Sequence, residues 1–190
     1  RQDKAVAQAD ERMDLDTFEM LRATVRRFVD ARLIPAEDSV EHGDAVPADI
    51  IAEMRALGLF GLSVPEEFGG LGLTMAEEAA IIRELTRASV VFRSVIGTTV
   101  GIGSQGIVMD GTEAQKREWL PRLATGEAIS SFALTEPEAG SDAASLRTTA
   151  VREGDFYRIN GTKRYITNAP RASVFTLMAR TEPDVKGAKG

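Results

Sequence analysis

Two short stretches concentrate the side chains of this chain that could do chemistry. Residues 132–142 read Phe-Ala-Leu-Thr-Glu-Pro-Glu-Ala-Gly-Ser-Asp, and residues 163–168 read Lys-Arg-Tyr-Ile-Thr-Asn. The first gathers hydroxyls and carboxylates around an Ala-Gly-Ser turn. The second offers an aromatic ring and a hydroxyl two residues apart, and on a β-strand Tyr165 and Thr167 share one face. A ring and a hydroxyl so placed suit a flat ligand with a polar edge, the ring for stacking and the hydroxyl for hydrogen bonding. Each stretch has a plainer alternative: Pro, Gly, Ser and Asp are ordinary turn residues, and Tyr and Thr are ordinary strand residues.

Other motifs carry less. Gly101, Gly103 and Gly106 match G-x-G-x-x-G, but that fingerprint works only between a strand and the helix that receives a pyrophosphate. Here it falls inside an apolar helical run, so the Rossmann reading is rejected in favour of helix packing. Residues 64–72, Val-Pro-Glu-Glu-Phe-Gly-Gly-Leu-Gly, lack the Lys-Ser or Lys-Thr pair of a P-loop and read as a tight interhelical turn. His42, the only histidine, sits in Glu41-His42-Gly43-Asp44 without further ligands at metal spacing, and reads as a solvated loop residue. Trp119 reads as a packing residue, and the Arg26–Arg27 pair as a solvated helix face.

The elements that must position these residues divide by period. Leu15, Phe18, Leu21, Val25, Phe28, Val29 and Leu33 recur mostly three and four apart, predicting an amphipathic helix with Asp16 at its start and Pro35 closing it. Val46-Pro47 opens a second helix, ended by Gly58. Thr74-Met-Ala-Glu77 is a capping box for a third, running to about Ala88. Residues 90–109, with Arg93 as the sole charge and glycines at 97, 101, 103 and 106, predict a buried helix whose glycines allow close backbone approach. Thr112-Glu-Ala-Gln115 starts a last short helix, broken by Pro121 and Gly126.

After Ser130 the period shifts towards two. Residues 130–134, 148–152, 156–160, 164–167 and 174–180 read as strands. Glu153-Gly-Asp155 and Asn160-Gly161 are turn signals, the latter a hairpin dipeptide. The expected fold is α+β: an all-helical domain over 1–125 and a small antiparallel, barrel-like β domain over 126–190. That second domain looks unfinished in the strand-breaking residues 183–190.

Bulk properties narrow the function. The 190 residues carry a net charge of −6, with 43% hydrophobic and 27% charged residues. This is an ordinary globular composition, and the acidic balance argues against a nucleic-acid partner. The absence of cysteine excludes disulfides and thiolate metal sites and fits a reducing cytoplasm. Neither a signal peptide nor an apolar run of membrane-span length is evident. Arg1 in place of Met is read as a start other than the gene's own.

Taken together and in this order, the two stretches resemble the flavin-binding signatures of the acyl-CoA dehydrogenase family, and residues 64–72 resemble its N-terminal loop. The similarity runs from about Phe18 onward. It implies a helical domain and a β domain that, with a C-terminal helical domain absent from this chain, enclose FAD and an acyl-CoA. By resemblance, Phe132, Leu134, Thr135, Gly140 and Ser141 line the flavin, with Leu134 and Thr135 near its pyrimidine edge. Ser141 meets cofactor and thioester substrate alike. Tyr165, Ile166 and Thr167 cover the ring, with Thr167 near N5, where the family often has Trp in place of Tyr165. Ser94, Val95, Thr98, Thr99 and Ile102 resemble the wall of the acyl pocket.

The chemistry so implied is α,β-dehydrogenation of the thioester, a carboxylate taking the α-proton as hydride leaves for the flavin. The family's glutamate base comes from the missing domain, so no catalytic residue is assigned here, neither Glu136 nor Glu138, and no metal. The implied partners are an acyl-CoA, an electron-transfer flavoprotein as acceptor, and further copies in a homodimer or homotetramer. Two alternatives stand beside this: a flavin oxidase or monooxygenase on the same scaffold, and a non-catalytic homologue that has lost the cofactor.

Overall fold

In the computed structural model, residues 13–43, 45–182, 184, 185, 187 and 190 are described. Asp44, Arg1 and four residues of the 183–190 tail, all named above, lie outside them. The chain forms two compact units, one ending at Ala128 and the other beginning at Ile129.

In the first unit, helix α1 (Leu15–Phe28) is capped by Asp14, whose carboxylate accepts from the Thr17 N–H at 3.0 Å. The cap is therefore two residues earlier than the Asp16 the sequence suggested. Pro35 does not close the helix. A π turn (Val29–Leu33) follows α1, and α2 (Ile34–Glu41) carries Pro35 in its first turn. The Ile34 N–H donates to the Val29 carbonyl five residues back. This wide turn resets the register, so the proline's missing N–H falls where a fresh first turn tolerates it.

Helix α3 (Ala48–Ala56) has Pro47 as its N-cap, and Gly58, at φ +71°, follows its end. The loop beyond buries Leu59, Phe60, Leu62 and Val64 completely, each worth about 1.5–3 kcal/mol of transfer free energy. Residues 64–72 form the expected tight turn. A methyl at Gly70 would lie 2.0 Å from the Val64 carbonyl oxygen, and the Gly72 N–H donates to that same oxygen at 2.9 Å. Only glycine allows so close an approach.

Helix α4 (Met75–Leu85) begins at the predicted capping box, with Thr74 and Glu77 bonding reciprocally, and packs on α1. Residues 90–110 differ from expectation. Helix α5 (Val90–Thr98), a π turn (Thr99–Gly103) and α6 (Ser104–Asp110) share the span. Only one face is buried, through Phe92, Ile96, Thr99, Val100, Gly103 and Ser104. Nor do Gly97 and Gly101 serve backbone contact: Gly101 faces open space, and Gly97 lies under the Arg93 guanidinium. Helix α7 (Glu113–Ala124) has the predicted Thr112–Gln115 box but keeps Pro121 inside it. The helix ends before Gly126, which has a φ of +72° and where an added methyl would lie 2.8 Å from the Phe60 ring.

The second unit has strands β1 (Ser130–Ala133), β2 (Thr149–Glu153), β3 (Phe156–Asn160) and β4 (Val174–Leu177). The β2–β3 hairpin turns at Gly154-Asp155, as its residues suggested, with Glu153 opposite Phe156. The antiparallel barrel is not realised among the described residues. β1 pairs with β4 in parallel, the long intervening connection making that sense accessible, and the pairs form two separate sheets with no closure. A single parallel bridge, Thr149 to Arg180, extends beyond them. Asn160-Gly161 does not form a hairpin, and residues 164–167 are not a strand: Tyr165 and Asn168 have φ of +58° and +65°, which interrupts any extended run.

Candidate functional site

The two chemical stretches meet within the second unit. β1 delivers Phe132 and leaves into Leu134, Thr135 and Glu136. From there the chain no longer has a strand to satisfy its main-chain groups, and side chains take over. The Arg164 N–H donates to the Thr135 carbonyl at 2.8 Å. Lys163 Nζ donates both to the Leu134 carbonyl and to Glu136 Oε1, each at 2.9 Å. At the other end of the second stretch, the Ser131 hydroxyl donates to the Thr167 carbonyl at 2.6 Å.

Glu136 is the hub. Its Oε2 accepts from the Arg147 N–H at 2.6 Å and its Oε1 from the Thr148 N–H at 2.9 Å, so one carboxylate caps the entry to β2. Burial opposes its charge, but the bonds from Thr148, Lys163 and Arg147 prevail and hold its pKa down to about 2. With both oxygens engaged, Glu136 is an anchor rather than a base. Glu138 is exposed and paired with Arg147. Arg180, which the sequence did not mark, ties the same loop by donating to the Leu146 and Ala144 carbonyls at 2.9 and 2.7 Å.

Upon this frame the predicted residues are distributed unevenly. Phe132, Leu134, Thr135 and Ile166 are half-buried, whereas Gly140, Ser141 and Thr167 are exposed. Tyr165 is 78% exposed, with the Arg164 guanidinium 4.6 Å from its ring centroid. Because residues 164–167 turn, the simple face-sharing of Tyr165 and Thr167 does not hold. The hydroxyls of Thr135, Ser141 and Thr167 have no hydrogen-bond partner among the described residues, and the buried Nδ2 of Asn168 has none either. Among the described residues, these hydroxyls and the exposed Tyr165 ring form a surface that can bind and orient a ligand.

The predicted acyl-wall residues lie in the first unit. Ser94 and Ile102 are exposed, and Val95 and Thr98 half-buried, while Thr99 is wholly buried and presents nothing to an open surface. The Ser94 hydroxyl turns back on the Val90 carbonyl at 2.9 Å. Burial raises the Glu78 carboxyl above its ordinary value, with Ser63 and Arg93, the charge in this run, opposing it.

His42 is exposed at the end of α2, with Nδ1 2.8 Å from the Asp38 carbonyl. No cluster of potential metal ligands occurs among the described residues, and no helix among them is long and apolar enough to cross a membrane. Arg26 is not merely solvated: its Nη2 reaches the buried Glu84 Oε1 at 2.6 Å. The only sequence signal for that contact is helical spacing, since Arg22 and Arg26 sit four apart.

A helical unit followed by strands that carry this hydroxyl-lined frame matches one family in the comparisons with known proteins. Residues 16–127 match the acyl-CoA dehydrogenase N-terminal domain and residues 131–190 the acyl-CoA dehydrogenase middle domain. The chain belongs to the acyl-CoA dehydrogenase family. It is 41% identical to a (2S)-methylsuccinyl-CoA dehydrogenase of Cereibacter sphaeroides, over 92% of this chain and 32% of that protein. A glutaryl-CoA dehydrogenase of Mycobacterium smegmatis, solved in complex with FADH2, is 38% identical with a TM-score of 0.81, over 90% of this chain and 44% of that one. A chain from work on the electron transferring flavoprotein of Acidaminococcus fermentans is 32% identical with a TM-score of 0.81, over 91% and 45%. The chain thus spans from about a third to just under a half of the length of these relatives.

Proposed function

We infer that the complete protein is an FAD-dependent acyl-CoA dehydrogenase, taking hydrogen from Cα and Cβ of an acyl-CoA thioester to give the 2-enoyl-CoA. The observation that carries this is the second unit's frame, in which main-chain groups are engaged while the Thr135, Ser141 and Thr167 hydroxyls and the Tyr165 ring are left for a ligand. Those donors and that aromatic surface fit a flavin. Bound FAD would supply the electron acceptor, with the protein contributing alignment and electrostatics.

In this reading Thr135 and Thr167 would donate to the cofactor, Tyr165 would cover it, and Phe132, Leu134 and Ile166 would exclude water. Gly140 keeps the turn clear of the cofactor, a methyl there meeting nothing within 4 Å. Ser141 serves both cofactor and thioester. Ser94, Val95, Thr98 and Ile102 belong to the acyl wall, with Thr99 backing them. The α-proton goes to a base outside these 190 residues. Electrons leave to an electron-transfer flavoprotein, and the protein works as a homo-oligomer in the cytoplasm.

The test is the visible spectrum of the complete gene product during anaerobic addition of assorted acyl-CoAs. Flavin absorbance that bleaches supports thioester dehydrogenation. A yellow protein that stays oxidised points to another flavin chemistry, and a colourless one to a homologue without cofactor.

A further inference from the structure

We propose that the Glu136–Lys163 ion pair is a positioning device for the flavin, setting the distance between the segment that carries Thr135 and the turn that carries Tyr165 and Thr167. The inference rests on the flavin reading above. Three links join these segments: Lys163 Nζ to Glu136, Lys163 Nζ to the Leu134 carbonyl, and the Arg164 N–H to the Thr135 carbonyl. Two of the three depend on the Lys163 side chain.

The pair is 5% and 10% exposed, an environment in which an apolar pair of equal volume commonly serves stability as well or better. What an apolar pair lacks is direction. An ammonium that satisfies a carbonyl and a carboxylate together fixes two points of one segment relative to the other, and does so beside residues assigned to the ligand. The turn it anchors holds Tyr165 and Asn168 in the left-handed region, a conformation that non-glycine residues keep only when their surroundings impose it. Ser131, through the Thr167 carbonyl, anchors the far end. Between the two anchors sit the ring and hydroxyl that would face the cofactor.

The experiment compares the complete gene product with its Lys163→Met, Lys163→Arg and Glu136→Gln variants. It measures the FAD dissociation constant by equilibrium dialysis, the flavin visible spectrum and reduction potential, and secondary structure by circular dichroism. Glu84→Gln, at a buried carboxylate of the helical unit, is the control for a purely structural loss. Lys163→Met should keep the wild-type circular dichroism, weaken FAD about tenfold or more and shift the spectrum or potential, with Lys163→Arg recovering part of both. Glu84→Gln should leave the flavin unchanged. Wild-type affinity, spectrum and potential in Lys163→Met overturn the proposal while leaving the flavin reading intact. A wild-type protein that binds no FAD overturns both. Should Lys163→Met not fold, Glu136→Gln decides in the same way, because it removes the charge facing Lys163 while its single amide oxygen can still accept from the Thr148 N–H, only the Arg147 N–H losing its acceptor.

Discussion

Among the described residues each unit buries one carboxylate, and the two are answered differently. Glu84 on α4 is 5% exposed and is met by side chains: Arg22 Nε at 3.2 Å, Arg26 Nη2 at 2.6 Å and, more distantly, Arg87 Nη1 at 3.9 Å. Those guanidinium side chains are themselves 35%, 51% and 42% exposed. The Glu136 side chain is 5% exposed and is met by two main-chain N–H groups and one lysine whose side chain is 10% exposed. Arginines at a water boundary can turn outwards if their partner is lost, but main-chain donors cannot. Glu84 joins helices that already satisfy their own backbones, whereas Glu136 supplies backbone pairing where the second unit has no ladder to do so.

The comparison can be broken most directly at the two carboxylates. Glu136→Leu leaves the Lys163 ammonium without its counter-charge and two N–H groups without acceptors, and should lower unfolding free energy by about 3–5 kcal/mol, read from urea midpoints. Glu84→Leu should lower it by visibly less, since its arginines reach water. Equal losses would refute the distinction drawn between mobile and main-chain partners.

Acid sharpens the same contrast. The folded-state pKa of Glu136, about 2, lies below its ordinary 4.5. Its stabilising contribution is therefore complete above about pH 4.5 and disappears as pH falls towards 2, a loss on the order of 3 kcal/mol. The stability difference between wild type and Glu136→Gln, followed by urea unfolding from pH 7 downwards, should shrink across that window. A difference independent of pH there would contradict the assignment.

The smallest expected effect separates strain from function. Tyr165→Gly relieves a left-handed residue, worth roughly 1–2 kcal/mol, but adds backbone entropy to the unfolded chain and removes an exposed cation–π contact of about 0.5–1 kcal/mol. Thermal unfolding should move by no more than about 1 kcal/mol equivalent, while FAD affinity of the complete protein falls. A large stability loss would mean that the ring packs rather than waits for a ligand.

Legibility varied with the reach of the interactions. The boxes at Thr74 and Thr112, the glycine after α3 and the β2–β3 turn were readable because each is a contact over three or four residues. Pro35 and Pro121 misled because the expected breaks assumed uninterrupted local geometry. A π turn absorbs the first, and the helix continues through the second. Residues 164–167 misled because strand-like composition says nothing about whether a lysine, an amide and a serine hydroxyl will pin the segment into a turn. Within the candidate site, the residue types were readable, whereas the clasp behind them was not. Glu136 and Lys163 are 27 residues apart, and no local pattern joins them.

The sequence by itself determined the change from helical to strand-bearing unit and the two stretches rich in hydroxyls and aromatic surface, because periodicity and turn chemistry are properties of neighbouring residues. Tertiary structure alone decided that β1 and β4 run parallel, that Arg26 serves Glu84, and that Glu136 is an anchor rather than a base. Those outcomes depend on which distant groups share a dry environment. There, a charge or a main-chain N–H must find its partner wherever the fold has put one.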